Sequence, residues 1–212
     1  MSKKKAIGYY DYTVILTYAG MLFAFFGILK VIDQDYLTAT ICLLCAGGCD
    51  MFDGTIAATK ERCRSEKRFG IQIDSLCDLI SFGILPGIFA YMVSGMKNFV
   101  GVVGAIYVLA ALIRLSFFNV LEEERQDATD EKRISILGLP VTTIAVFLPF
   151  VYWLYVSGLF RKESCFSILL ILMSIGFLTP IEIRKPGRTG KIAILAAGTI
   201  FACIMIIRMR IH

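Results

Sequence analysis

Histidine is nearly absent from this sequence: the 212 residues contain one, His212, which lies beyond the last apolar run. A lone histidine there removes histidine-based general acid–base chemistry and histidine-ligated metals from consideration. Internal repeats and low-complexity tracts are also missing, and no stretch reads as a soluble basic domain, so nucleic acid is not an expected partner. The seven cysteines fall mostly inside apolar runs and do not form the spaced framework of a disulfide-rich secreted fold. Cys42, Cys45 and Cys49 share a helix face, and small apolar packing residues are the expected reading of that spacing. The N-terminal MSKKK before an apolar run has no small-residue cleavage site after it, so that run is expected to be a first membrane helix and not a signal peptide.

What is present is apolar. Hydrophobic residues make up 57% of the chain and the mean hydropathy is +0.73, above the roughly 45–50% apolar content of soluble domains. Runs near the roughly 20 residues needed to cross a bilayer recur at about 12–32, 36–57, 70–94, 98–120, 138–160, 165–183 and 191–209. Fifteen of the 22 basic residues fall in alternate connections: the N-terminus, the segment 60–68, the segment 125–133 and the segment 184–191. By the positive-inside rule the N-terminus is cytoplasmic. The expectation is an all-α, polytopic integral membrane bundle forming one domain over 1–212. The net charge of +5 then reflects orientation and anionic membrane lipids. Tyr9, Tyr10 and Tyr12 suit an interfacial anchor, the first span is expected only to pack, and the charged stretch 121–135 reads as a solvated connector.

Two of these runs are interrupted by carboxylates. Asp50, Asp53, Gly54 and Ala57 follow i, i+3, i+4, i+7, and Gly70, Asp74 and Asp78 follow i, i+4, i+8, so each set lines one helix face. Four converging carboxylates repel one another and are costly to desolvate unless some are protonated or the group surrounds a cation. All-oxygen ligands suit hard divalent ions, Mg²⁺ or Mn²⁺. The glycines open the same faces to close approach by a ligand, a combination that suits a metal-held phosphate. Between the two faces lies a basic loop, Lys60 to Arg68, read as a solvated segment at the headgroups or as a source of cations for substrate phosphates. Arg114, within the fourth run, either faces a polar pocket or snorkels to the membrane edge. An ion or metal transporter is the alternative of a different class, set against acidic groups that lie near one membrane face and not at the midplane.

The pattern Asp50-x-x-Asp53-Gly54-x-x-Ala57, then Gly70-x-x-x-Asp74-x-x-x-Asp78, resembles the signature of the CDP-alcohol phosphotransferase family. FGIQIDSLCDLISFGILPG, Arg114 to Asn119, and Gly138-Leu139-Pro140 resemble its phosphatidylserine synthase branch. The resemblance implies a six-helix core over about 12–183, here with an extra helix at about 191–209, a homodimer, and an active site open to the cytoplasm of a bacterial-type cell membrane. It implies transfer of the phosphatidyl group from CDP-diacylglycerol to L-serine with release of CMP. Glycerol 3-phosphate or inositol as acceptor is the sister alternative. Asp50, Asp53, Asp74 and Asp78 would hold one or two Mg²⁺ or Mn²⁺ ions, and Asp78 would be general base. Asp50, Gly54, Ala57 and Gly70 would form the CDP site. Lys60, Arg62, Arg68, Gln72, Ser75, Arg114, Asn119 and Thr142 are the candidates for phosphate or acceptor contacts.

The match has one departure. The family pattern places arginine directly after the alanine, where this chain has Ala58, and the spacing from there to Gly70 is eleven residues instead of eight. Either an arginine has been replaced, leaving a low-activity form, or a cation of the longer loop such as Lys60 or Arg62 takes its place. The intact aspartates and glycines favour the first.

Overall fold

The computed structural model describes residues 8–10, 12–57, 59–128, 135–160, 162–184 and 198. The expected helix at 191–209 and Ala58 lie outside them. The described residues form an all-α bundle of α1 (Tyr12–Ile32), α2 (Tyr36–Ala57), α3 (Arg64–Asp78), α4 (Leu85–Val93), α5 (Asn98–Ala128), α6 (Ile144–Val156) and α7 (Ser164–Leu178). A π-helical segment, Leu79–Ile84, joins α3 to α4 so that Arg64–Val93 is one continuous 30-residue span. Among the described residues four helices are long and apolar enough to cross a membrane, and two shorter apolar ones, Val141–Val156 and Ser164–Leu178, bring these to six. Phe23, Phe25, Ile106, Leu109, Ile168 and Leu172 are exposed, as side chains facing lipid must be.

Boundaries differ from the sequence expectation in three places, each for a local reason. The third span begins at Arg64 and not near Gly70, because Glu66 reaches back to accept the Cys63 backbone N–H at 2.9 Å and caps the helix within the basic loop. The fourth runs on through Glu122 to Ala128, so the first half of the expected connector is helix. Arg125 pairs with Glu122 one turn away at 2.6 Å, and at about 1.5 Å per residue α5 is about 46 Å long, enough to project beyond a bilayer core. The fifth and sixth spans are shorter than the apolar runs. Gly138 to Pro140 lead into a 3₁₀ turn, Val141–Thr143, and residues beyond α7 form a short antiparallel ribbon, Ser135–Leu137 with Glu182–Arg184. Glu182 is exposed in that ribbon opposite Leu137.

Gly138 is what lets this corner close. Its φ is +74°, and a Cβ there would lie 2.9 Å from the Phe177 carbonyl oxygen, so only glycine fits without strain. Its N–H donates to Ile181 O at 2.8 Å and that of Leu139 to Gly176 O at 3.0 Å, satisfying backbone at the end of α7.

Helices α1 and α2 form the tightest pair. A Cβ on Gly20 would lie 3.2 Å from the Cys49 Cβ, and one on Gly27 3.0 Å from the Cys42 Cβ, so the helices approach through small residues as membrane helices do. Cys42 and Cys49 thus pack, as the sequence implied, whereas Cys45, expected to pack on the same face, is exposed. The hairpin between them turns at Gln34, φ +62°, and Asp35 Oδ1 accepts the Thr38 N–H at 3.1 Å to start α2.

Pro86 explains a further contact. It has no N–H to donate to the carbonyl of Phe82, four residues earlier. Tyr107, fully buried on α5, donates its hydroxyl to that oxygen at 2.5 Å. In lipid an unsatisfied carbonyl is costly, so this bond anchors the π segment that begins immediately after Asp78.

Candidate active site

The C-terminal part of α2, the C-terminal half of α3 and the C-terminal part of α5 come together at one end of the bundle. Asp50 from α2 and Asp74 and Asp78 from α3 each present a carboxylate oxygen, all within 4.8 Å of one another, half-buried. The two acidic faces therefore meet, as the helical spacing allows. Asp53 is 9% exposed and adjoins this triad, its carboxylate within hydrogen-bond reach of Asp74. Thr17 on α1 donates to Asp53 Oδ2 at 3.2 Å, so the first span contributes a side chain to the acidic site and does more than pack. No sequence signal pairs an in-span threonine with a carboxylate 36 residues away.

Three half-buried carboxylate oxygens so close together make an all-oxygen donor set, which fits a hard divalent cation and leaves it coordination positions for a ligand. Without a cation their mutual repulsion would require protonation. Gly54 faces open space, with no atom within 4 Å of where its Cβ would be, so the approach to α2 beside Asp53 is clear.

Beside the carboxylates a hydrogen-bond chain joins α3 to α5. Ser75 donates to Asn119 Oδ1 at 2.5 Å, Asn119 Nδ2 donates to Gln72 Oε1 at 3.3 Å, and Gln72 Nε2 donates to Glu123 Oε1 at 3.0 Å. Three of the eight expected phosphate or acceptor residues, Gln72, Ser75 and Asn119, are thereby linked to one another, with Gln72 and Ser75 within two residues of Asp74. Glu123 was absent from the expectation, since a run of three glutamates reads as solvent-facing until the helix is seen to extend through it. Arg114 is 8% exposed and its guanidinium lies 4.5 Å from the Phe118 ring centroid, so it faces the interior and does not snorkel. Thr142 is half-buried in the 3₁₀ turn, which packs against the π segment after Asp78.

The basic loop is partly ordered by the same end. Lys60 Nζ lies 3.5 Å from Glu66 Oε1, tied to the helix cap, while the Arg62 guanidinium lies against Gly70. Arg68 is exposed on the second turn of α3. Tyr12 and Thr59 share a hydrogen bond at 3.2 Å, and Tyr9 meets Phe69 edge-on at 5.3 Å, so the N-terminal aromatics close over the start of α3.

Comparison with known proteins agrees with this geometry. An archaetidylserine synthase of Methanothermobacter thermautotrophicus is 30% identical over 183 residues, 86% of this chain and 73% of that protein. CDP-diacylglycerol–serine O-phosphatidyltransferases of Helicobacter pylori and Bacillus subtilis are 30% and 29% identical over 145 and 130 residues, spanning 55% and 67% of those proteins. The family model for CDP-alcohol phosphatidyltransferases matches residues 13–180, from α1 through the end of α7, and so takes in the whole carboxylate site with the helices that build it. An acidic cluster within a six-span bundle, reached by matches of this extent, places the chain in the CDP-alcohol phosphatidyltransferase family.

Proposed function

We propose that this enzyme transfers a phosphatidyl group from CDP-diacylglycerol to the hydroxyl of L-serine, releasing CMP. The observation that carries the reading is the juxtaposition of the Asp50, Asp74 and Asp78 carboxylates with the Ser75–Asn119–Gln72–Glu123 chain, a phosphate-and-cation site beside a polar site. The relatives named above differ in the lipid part of their names and agree on serine, which supports the same acceptor.

In this reading Asp50, Asp53, Asp74 and Asp78 hold Mg²⁺ or Mn²⁺ against the diphosphate. Bound there, a divalent ion offsets phosphate charge and aligns attacking and leaving oxygens. Gly54 and Ala57, together with Asp50, leave room for cytidine and diphosphate, and Gly70 shapes the same site from α3. Asp78 takes the proton of the serine hydroxyl as that oxygen attacks phosphorus. Glu123 sits where an amino-acid ammonium would be attracted and an acceptor's own phosphate repelled, which favours serine over glycerol 3-phosphate. Arg114 and Thr142 complete the acceptor side. The cytoplasmic orientation, supported by the Lys and Arg distribution, the bacterial-type membrane and the homodimer belong to the same reading.

Release of CMP from CDP-diacylglycerol by protein in mixed micelles, with serine, glycerol 3-phosphate and inositol supplied in turn, tests it. Serine alone should support turnover, and chelation of divalent ions should abolish it. Turnover with another acceptor and none with serine overturns the choice of serine.

A further inference from the structure

The motif arginine is absent at position 58, and the loop that follows is three residues longer than the family spacing. Two cations of that loop could compensate, and the fold separates them. Lys60 is drawn to Glu66, whose other carboxylate oxygen caps α3 at Cys63. Its position serves the helix start. Arg62 is directed elsewhere: its Nη1 lies 2.9 Å, and its Cζ 4.0 Å, from the point a Cβ on Gly70 would occupy. The guanidinium therefore rests in the notch that the missing side chain leaves, and any larger residue at position 70 would displace it.

Gly70 shares its helix face with Asp74 and Asp78, one and two turns further on. At about 1.5 Å per residue Arg62 stands about 6 Å along the axis from the level of Asp74. It is half-buried, in a segment fixed at one end by the α3 cap and at the other by the Thr59 contacts to Tyr12 and to Ile56 O. A planar guanidinium with parallel N–H donors matches phosphate oxygens in a way a lysine ammonium does not.

We infer that Arg62 supplies the cation missing at position 58, seated by Gly70 so that it binds the diphosphate of the CDP-linked lipid. The longer loop is then the compensating change, since it carries the guanidinium from α2 to a notch on α3. This rests on the reading of the site as one for a CDP-linked substrate.

The test is titration of the full-length protein in micelles with CDP and magnesium, followed by the KM for CDP-diacylglycerol and for serine. Arg62→Ala should weaken CDP binding and raise the KM for CDP-diacylglycerol by about 10- to 100-fold, the range for loss of a charged hydrogen bond, with the KM for serine little changed. Arg62→Lys should recover part of the loss, and Lys67→Ala, an equal change in net charge, should alter CDP binding by less than about threefold. Ala58→Arg should add little to the wild-type protein and should rescue Arg62→Ala. A large gain from Ala58→Arg alone, or full CDP affinity in Arg62→Ala, overturns the role of Arg62. Wild-type protein that binds no CDP overturns the reading of the site itself, a result distinct from either. Thermal unfolding of each variant separates loss of affinity from loss of fold.

Discussion

Replacing Tyr107 with phenylalanine removes one oxygen and leaves the ring in place, which isolates the bond to Phe82 O. Both residues are fully buried, so the carbonyl has no water to turn to, and Pro86 cannot supply the N–H of an α-helical bond to it. An unsatisfied buried carbonyl costs about 1–3 kcal/mol, while interhelical hydrogen bonds measured in a membrane protein reach about 1.7 kcal/mol at most. The expected destabilisation is therefore about 1–2 kcal/mol, a five- to thirtyfold change in the folded-to-unfolded ratio. Reversible unfolding by sodium dodecyl sulfate in mixed micelles measures it.

Pro86→Ala makes the test specific. It restores an N–H four residues beyond Phe82, so in the Tyr107→Phe background it should recover about 0.5–1.5 kcal/mol relative to its effect in wild type. The cycle cancels the change that losing proline makes in the unfolded chain. Strict additivity, or a Tyr107→Phe variant within about 0.3 kcal/mol of wild type, would refute the account of Phe82 as an orphan acceptor. Because the π segment starts at Leu79, CMP release should fall in parallel with stability.

Other variants probe other links. Asp78→Asn should lower turnover by about 10²–10⁴-fold, the usual range for a lost general base, and a loss below about tenfold would remove Asp78 from that role. Gly138→Ala should cost about 1–3 kcal/mol, because φ +74° is strained for alanine and its Cβ meets the Phe177 carbonyl; an unchanged melting temperature would contradict this. At the opposite end, Glu163 accepts a hydrogen bond from Lys97 at 3.1 Å, which holds its carboxyl below the ordinary 4.5. A depressed folded-state pKa contributes stability that is present above about 4.5 and lost as pH falls through the folded value. Glu163→Gln should therefore flatten the acid limb of a melting-temperature profile between about pH 3 and 6, with no effect near neutrality; an identical acid limb would show the contact to be inert.

Several features of this protein follow from its sequence because they are local or periodic. Apolar runs of bilayer length dictate a helical membrane bundle, since only internally bonded backbone survives in lipid, and α1 and α2 begin and end where those runs do. The i+3 and i+4 spacings of the aspartates put Asp50 on one helix face and Asp74 and Asp78 on another whatever the packing. Tertiary structure decided which distant groups those faces meet. Thr17 reaches Asp53, Glu123 closes the chain through Gln72 and Asn119, and Tyr107 answers the carbonyl that Pro86 leaves open. It also decided between two loop cations that look alike in sequence, because Glu66 draws Lys60 to the helix cap while the space over Gly70 receives Arg62. Periodicity sets the direction of a side chain from its own helix. The partner it finds depends on how close two helices can come, and in this bundle small residues such as Gly20 and Gly27 set that approach between α1 and α2.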